Sequence, residues 1–484
     1  MSRYILNRQF RLRGWHGLPY GIYDMKKNAA LFVDQSCYEV IMKCDAEQEI
    51  DPDSLSERQR EFLEEMKKGN IISKAGPYDF LGIEQAYAAY PTRYREEVHW
   101  SITGACNMKC RHCFMSAPEA KHGEPSLEEL RKIADQLAAC GYFNVSLTGG
   151  EPLIRKDLPE FLDLLKERGI NISTIFSNGW LIRDSLLDML EEKGFHPSFQ
   201  LSFDGIGWHD FLRGVPGAEA HTVRALELLE KRGVPVTVSM CLHRKNVHVI
   251  RDSVNFLAKL GVQSVKFSQM MELGAWADPD LALLKLTEEE RHSVYEAYIP
   301  EYFEDDAPTA LILGGAFVYF PGAPDYAMNF VRHCSKEKED KTLTCAVLGK
   351  MFYIGADGMV APCQGMADCE FAKNFPSLKD TPLKEILTDS EYVKLSYTTV
   401  KDVREGNEDC RVCPYTDRCT GGCRNSVLIS GNNYYGPDPE ACFFFRNGWD
   451  KRIEEAARPA LEAYLNRHPE YREKKPEAGK NVCL

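Results

Sequence analysis

One alternation through the middle of the chain restricts the fold more than any other feature. Short apolar runs at Val98–Thr103, Asn144–Thr148, Asn171–Phe176, Ser198–Phe203, Val236–Cys241 and Val262–Ser268 are separated by amphipathic stretches with helix start and stop signals. Ser126 and Glu129 have capping-box spacing, and Asp157 and Glu160 form a similar pair. Gly169, Gly194, Gly233 and Gly261 stand where helices should end. Strand then helix, repeated six times, predicts a parallel sheet with right-handed crossovers. Six strands are too few to close an eightfold barrel. The expected fold is α/β, a partial (β/α)6 barrel open on one side, with its chemistry where strands end and loops begin.

A chain of 484 residues exceeds one ordinary domain. The expected division is 1–90, a winged-helix-like region; 95–320, the partial barrel; 330–450, rich in Cys, Gly and Pro; and 451–484, a C-terminal helix and tail, the helix running around Trp449 to Arg467. In the first region Tyr4–Arg11 and Ala30–Val33 read as strands and Asp34 to Lys43 as a helix. A second helix starts near Ser56, with Gln59 at capping-box spacing, Phe62, Leu63 and Met66 on one face and Gly69 as its stop. Ile71 and Ile72 begin a closing strand. Such modules commonly bind DNA, but this helix mixes Glu57, Glu61, Glu64 and Glu65 with Arg58, Arg60, Lys67 and Lys68 and presents no basic face. A peptide-recognition module fits better, with a structural cap as the alternative. The net charge of −13 also disfavours nucleic acid or a membrane surface as partner. No run of 18 apolar residues and no signal peptide is visible, so a cytoplasmic protein is expected.

The 17 cysteines carry the chemistry. In a cytosolic chain, clustered cysteines indicate metal or redox sites. Cys37, Cys44, Cys140, Cys241 and Cys483 stand apart from the clusters and read as inert thiols. Cys106-x3-Cys110-x2-Cys113 follows the first barrel strand. Three thiolates on one loop suit an iron–sulfur cluster with one iron left open, as a catalytic site requires. A zinc site borrowing His112 is the alternative. Leu147-Thr148-Gly149-Gly150-Glu151-Pro152 ends the second strand, where two glycines let a ligand approach the backbone and Glu151 can accept from an ammonium group.

These motifs resemble the radical S-adenosylmethionine (SAM) superfamily over Val98 to about Gly274, with His112 where an aromatic is usual and Phe114 just after. The resemblance implies that Cys106, Cys110 and Cys113 hold a catalytic 4Fe–4S cluster whose open iron chelates SAM. Reductive cleavage of SAM then gives a 5′-deoxyadenosyl radical. It further implies SAM contacts from Gly149, Gly150, Glu151, Ser177, Asn178, Ser202 and Asp204, and from Arg213 toward the SAM carboxylate. Turn chemistry at Asn178-Gly179 and Asp204-Gly205, and a solvated Arg213, are the plainer alternatives.

Downstream, Cys345-x12-Gly358-x4-Cys363, then Cys410-x2-Cys413-x5-Cys419-x3-Cys423-x18-Cys442, resembles the SPASM domain. That resemblance implies two auxiliary 4Fe–4S clusters. Cys410, Cys413, Cys419 and Cys442 would hold the distal one, and Cys345, Cys363 and Cys423 the proximal one. Cys334, Cys369 or an open iron would supply the fourth proximal position. A zinc ribbon is the alternative.

The expected function is maturation of a ribosomally made precursor peptide, whose leader the N-terminal module binds. The bond formed would be an oxidative thioether or carbon–carbon cross-link. Epimerisation, with Cys140 or Cys483 as hydrogen donor, is a variant of it. A flavodoxin- or ferredoxin-type reductant is implied. The rivals are a sulfatase-maturing (formylglycine-forming) or cofactor-biosynthesis enzyme and, outside enzymes, an iron–sulfur electron carrier or peptide-binding regulator. No residue announces itself as catalytic acid or base.

Overall fold

The computed structural model describes residues 2–472 apart from 114, 116, 269–278, 346, 389 and 432. The N-terminal part runs β1 (Ser2–Leu6), β2 (Phe10–Trp15), β3 (Leu18–Asp24), β4 (Ala29–Phe32), a helix Gln35–Met42, β5 (Asp45–Ile50), a helix Glu57–Lys68, β6 (Ile72–Lys74) and β7 (Ala88–Ala89). Two small sheets result, with strand orders β5-β1-β6 and β4-β3-β2-β7. The helix Glu57–Lys68 begins with the Ser56–Gln59 capping box and buries Phe62, Leu63 and Met66 in a core with Leu6, Ile22, Val40 and Ile72. The single strand expected over Tyr4–Arg11 is two strands. A turn closes between them, where the Phe10 N–H donates to the Asn7 carbonyl at 2.9 Å and the Asn7 side chain donates to the Asn70 carbonyl at 2.7 Å. β3 contains Pro19 and Gly21, and β5 reads Asp-Ala-Glu-Gln-Glu-Ile, so neither shows an apolar alternation. Both form because neighbours pair with them, which propensity does not record.

β8 (Glu97–Ser101), β9 (Asn144–Thr148), β10 (Asn171–Ser177), β11 (Ser198–Ser202), β12 (Val236–Cys241) and β13 (Ser264–Ser268) lie side by side and parallel, in chain order. This is the expected partial barrel, and the sheet goes further. β14 (Ala310–Leu313) adds parallel to β13, and β15 (Phe317–Tyr319) adds antiparallel beyond it. On the other side β16 (Met351–Ile354) adds parallel to β8 and is followed by β17 (Val360–Ala361), giving ten strands in all. A strand from the cysteine-rich stretch thus covers the open edge of β8. The capping box at Ser126–Glu129 forms. Asp157 does not cap its helix; its carboxylate accepts from Arg155 Nε and Nη2 at 2.9 and 2.7 Å instead. The helix Trp449–Arg467 buries Trp449, Ile453, Ala457 and Leu461 and packs on the helix Glu288–Asp305. Among the described residues no helix is long and apolar enough to cross a membrane.

Candidate active site

The loop after β8 and the end of β9 are fastened backbone to backbone. The Gly150 N–H donates to the Thr103 carbonyl at 3.0 Å, and the Glu151 N–H donates to the Ala105 carbonyl at 2.9 Å. A Cβ at Gly149 would lie 2.3 Å from the Thr103 oxygen, and one at Gly150 would lie 2.1 Å from the Ala105 oxygen. Only glycine permits that approach. The glycine pair therefore shapes the cysteine loop as well as leaving room for a ligand.

A cavity of about 540 Å³ opens over this junction. Cys106, Cys110, Cys113, Gly149, Gly150, Ser177, Asn178, Ser202 and Arg213 line it. So do Cys345, Cys363 and Cys423 from the cysteine-rich stretch. Cys410, Cys413, Cys419 and Cys442 surround a separate cavity of about 40 Å³. Neither cavity is lined by Cys334 or Cys369. The Cys334 thiol points at the Ser335 carbonyl at 3.6 Å, and the Cys369 thiol donates to the Met366 carbonyl at 3.2 Å within an apolar cluster containing Phe375 and Tyr434. Among the described residues no three His, Cys, Asp or Glu side chains converge where a single metal ion could sit. Soft thiolates spread round a cavity suit a cluster of several irons. Burial pushes the thiols of Cys106, Cys363 and Cys419 up, to about 12, 11 and 11, so cluster binding must displace protons.

Glu151 and Asp204 do not line the cavity. The Glu151 carboxylate accepts from the Leu153 N–H, the Ser177 hydroxyl and the Asn178 N–H at 3.1, 3.0 and 2.8 Å. Burial pushes its carboxyl up to about 7, which these bonds partly offset. Asn178 Nδ2 in turn donates to Asn107 Oδ1 at 2.8 Å, tying β10 to the cysteine loop. Arg213 is no solvated arginine, with a side chain only 11 % exposed. Its Nε and Nη2 fork onto Asp204 at 2.7 and 3.2 Å, and Nη1 lies 3.8 Å from Cys110 Sγ. Burial opposes the charge of Asp204, yet Arg213 and His209 outweigh it and hold the carboxyl well below the usual range. Asp204 thus meets the cavity wall through Arg213 and through the backbone of Cys241. Gly179 and Gly205 have φ of 81° and 94°, so the Asn-Gly and Asp-Gly turns are genuine turns as well.

The barrel interior adds residues the cysteine motifs do not suggest: His99, Gln200, Ser239, Cys241 and Lys266 all line the cavity. A lysine inside a central parallel strand is itself an unusual signal. His99 Nε2 stands 3.4 Å from Glu97, which also accepts from Ser146 and Ser173. His112 lines the cavity, and burial pulls its imidazole down to about 3. Cys241, expected to be inert, donates its N–H to Asp204 at 3.0 Å. Cys140 is the C-cap of the helix Leu127–Ala139, and Cys483 and Phe114 lie outside the described residues.

Residues 100–257 match the model of the radical SAM superfamily, and residues 345–414 match that of an iron–sulfur cluster-binding domain, SPASM. The subtilosin biosynthesis protein AlbA of Bacillus subtilis (strain 168) is 25 % identical over 345 residues, 69 % of this chain and 68 % of that protein. Fe-coproporphyrin III synthase of Methanosarcina barkeri (strain Fusaro / DSM 804) is 26 % identical over 368 residues, 72 % of this chain and 87 % of that protein. In fold, the crystal structure of Streptococcus suis SuiB bound to precursor peptide SuiA matches with a TM-score of 0.61 at 15 % identity, covering 91 % of this chain and 100 % of that one. The cysteine triad after β8 lies within the first match and Cys345, Cys363, Cys410 and Cys413 lie within the second, so the chain carries a radical SAM domain and, after it, an iron–sulfur cluster-binding SPASM domain.

Proposed function

We propose that the chain matures a ribosomally made precursor peptide by radical chemistry, forming a thioether or carbon–carbon cross-link. The observation that carries this reading is the single cavity lined by both cysteine triads, Cys106/Cys110/Cys113 and Cys345/Cys363/Cys423. When bound, the cluster and SAM supply a 5′-deoxyadenosyl radical that takes a hydrogen atom from the substrate. Cys106, Cys110 and Cys113 hold the catalytic cluster. Gly149, Gly150, Ser177, Asn178 and Ser202 wall the SAM side, and Glu151 and Asp204 position that wall. Cys345, Cys363 and Cys423 would hold an auxiliary cluster at the same cavity, while Cys334 and Cys369 turn to the Ser335 and Met366 carbonyls. Cys410, Cys413, Cys419 and Cys442 would hold a second auxiliary cluster, and a flavodoxin- or ferredoxin-type partner in the cytoplasm would supply the electron that SAM cleavage needs.

The N-terminal module supplies the peptide. β4 ends its sheet and exposes Leu31, and the segment after β6 exposes Tyr78, Phe80 and Ile83. An extended leader can add to such an edge and hold the core peptide at about millimolar local concentration. The fold match to SuiB, a protein crystallised with its precursor peptide, covers 91 % of this chain and so reaches into this module. Relatedness to Fe-coproporphyrin III synthase favours a second reading, a tetrapyrrole substrate.

Deleting residues 1–75 tests the peptide reading. It should leave uncoupled 5′-deoxyadenosine formation and remove peptide modification. Because Trp15 packs on Tyr90 and Tyr94 and donates to the Gly141 carbonyl at 3.3 Å, the deletion also bares an aromatic cluster. Leu31→Asp, in the intact fold, should have the same effect on peptide modification. Unchanged modification by both variants would make the module a structural cap.

A further inference from the structure

The barrel interior holds a cation that the chemistry above does not use. β11, β12 and β13 are neighbours, and their register sets Ser202 opposite Ser239, and Ser239 opposite Lys266. Side chains two apart on a strand share a face. Gln200 and Ser202, Ser239, and Lys266 and Ser268 therefore meet on one wall, and all of them line the cavity. A charge on a central strand is costly unless it is answered. Two other cations line the cavity and both are answered. Arg213 forks onto Asp204, and Arg424 donates to the carbonyls of Tyr434, Gly436 and Gly421. Lys266 has no hydrogen-bond or ion-pair partner among the described residues, and neither does the Gln200 amide. No Asp or Glu lines the cavity among those residues. Beside Lys266 the hydroxyls of Ser239 and Ser268 are 2.7 Å apart, so one donates to the other and the second keeps a free O–H.

We propose that Lys266 anchors a carboxylate of the substrate, with Gln200 and the Ser239–Ser268 pair as neighbouring donors. Charge-assisted bonds to a carboxylate are the strongest that such donors can make. The anchor fixes which carbon of the substrate faces the SAM side of the cavity. This inference rests on the reading of the cavity as the substrate site. Two sources share the chemistry: an Asp or Glu side chain of a peptide, and the propionate arm of a tetrapyrrole. Cys363 and Cys423 are close enough for their charge to act on Lys266, so service to the auxiliary cluster is the competing role.

Ligand-observed NMR on oxidised, cluster-loaded, SAM-saturated enzyme distinguishes these roles. The probes are N-acetylglutamate N-methylamide against its glutamine counterpart, and coproporphyrin III against its methyl ester. The acid of the glutamate pair should bind at least about tenfold more tightly than its neutral partner. Lys266→Met should erase that preference and Lys266→Arg should restore part of it. Lys266→Gln replaces the methionine variant if the latter loses its iron. A preference confined to the porphyrin pair would uphold the anchor and overturn the peptide reading. Equal binding of acid and neutral probe in the wild-type enzyme would overturn the anchor. So would a preference that survives in Lys266→Met, with or without a shifted reduction potential of the auxiliary clusters.

Discussion

Glu151 and Asp204 are both buried acids at strand ends, yet their neighbours give them opposite electrostatics. Asp204 faces a guanidinium and keeps its charge, while Glu151 has only neutral donors and is pushed up to about 7. The value of Glu151 lies in its three acceptor bonds, one closing its own turn on Leu153 and two joining the ends of β9 and β10. Glu151→Ala leaves those buried donors unpartnered, each costing about 1–3 kcal/mol. SAM affinity should therefore fall at least about tenfold, by equilibrium dialysis on reconstituted protein with unchanged far-ultraviolet circular dichroism. Unaltered affinity would mean that the strand ends hold their places without it.

At the level of elements, the segment after the cysteine loop is pinned to the SPASM-containing stretch by charge. His122 Nδ1 stands 3.5 Å from Asp357 and Nε2 stands 3.5 Å from Asp368, which Lys121 also meets at 2.7 Å. The two carboxylates raise the imidazole to about 9 against the cost of burial. A histidine raised on folding stabilises fully below its unfolded value of about 6.5, and that stabilisation is lost as pH rises through the folded value. Amides of residues 117–123 should therefore lose protection between pH 7.5 and 9.5, after correction for intrinsic exchange. His122→Gln should show no such step, and an identical step in that variant would assign the pH dependence elsewhere.

For the whole molecule, ten of the 17 cysteines sort into three sets around two cavities. If each set holds a cubane, anaerobically reconstituted enzyme should bind about twelve irons and the Cys106/Cys110/Cys113→Ala triple variant about eight. That variant should form no 5′-deoxyadenosine while keeping its auxiliary clusters. A wild-type count of about four irons would remove both auxiliary clusters from the scheme. The distribution also explains the architecture, since a stretch with few long helices gains folding energy from its metal, and β16 binds it to the edge of β8.

The six parallel strands and the cysteine spacings are legible in the chain before it folds. Strand periodicity and ligand spacing are local, and each is complete within a few residues. The same is true of the capping boxes at Ser56 and Ser126, where donor and acceptor are three residues apart. Folding settles that Asp157 serves Arg155, that Glu151 joins two strands, and that Asp204 holds Arg213. A carboxylate takes the best donors within reach, and folding sets that reach. The same holds for β16, a four-residue strand formed by pairing. It holds most of all for Lys266, whose isolation becomes visible only when three strands and two cysteine sets close around it.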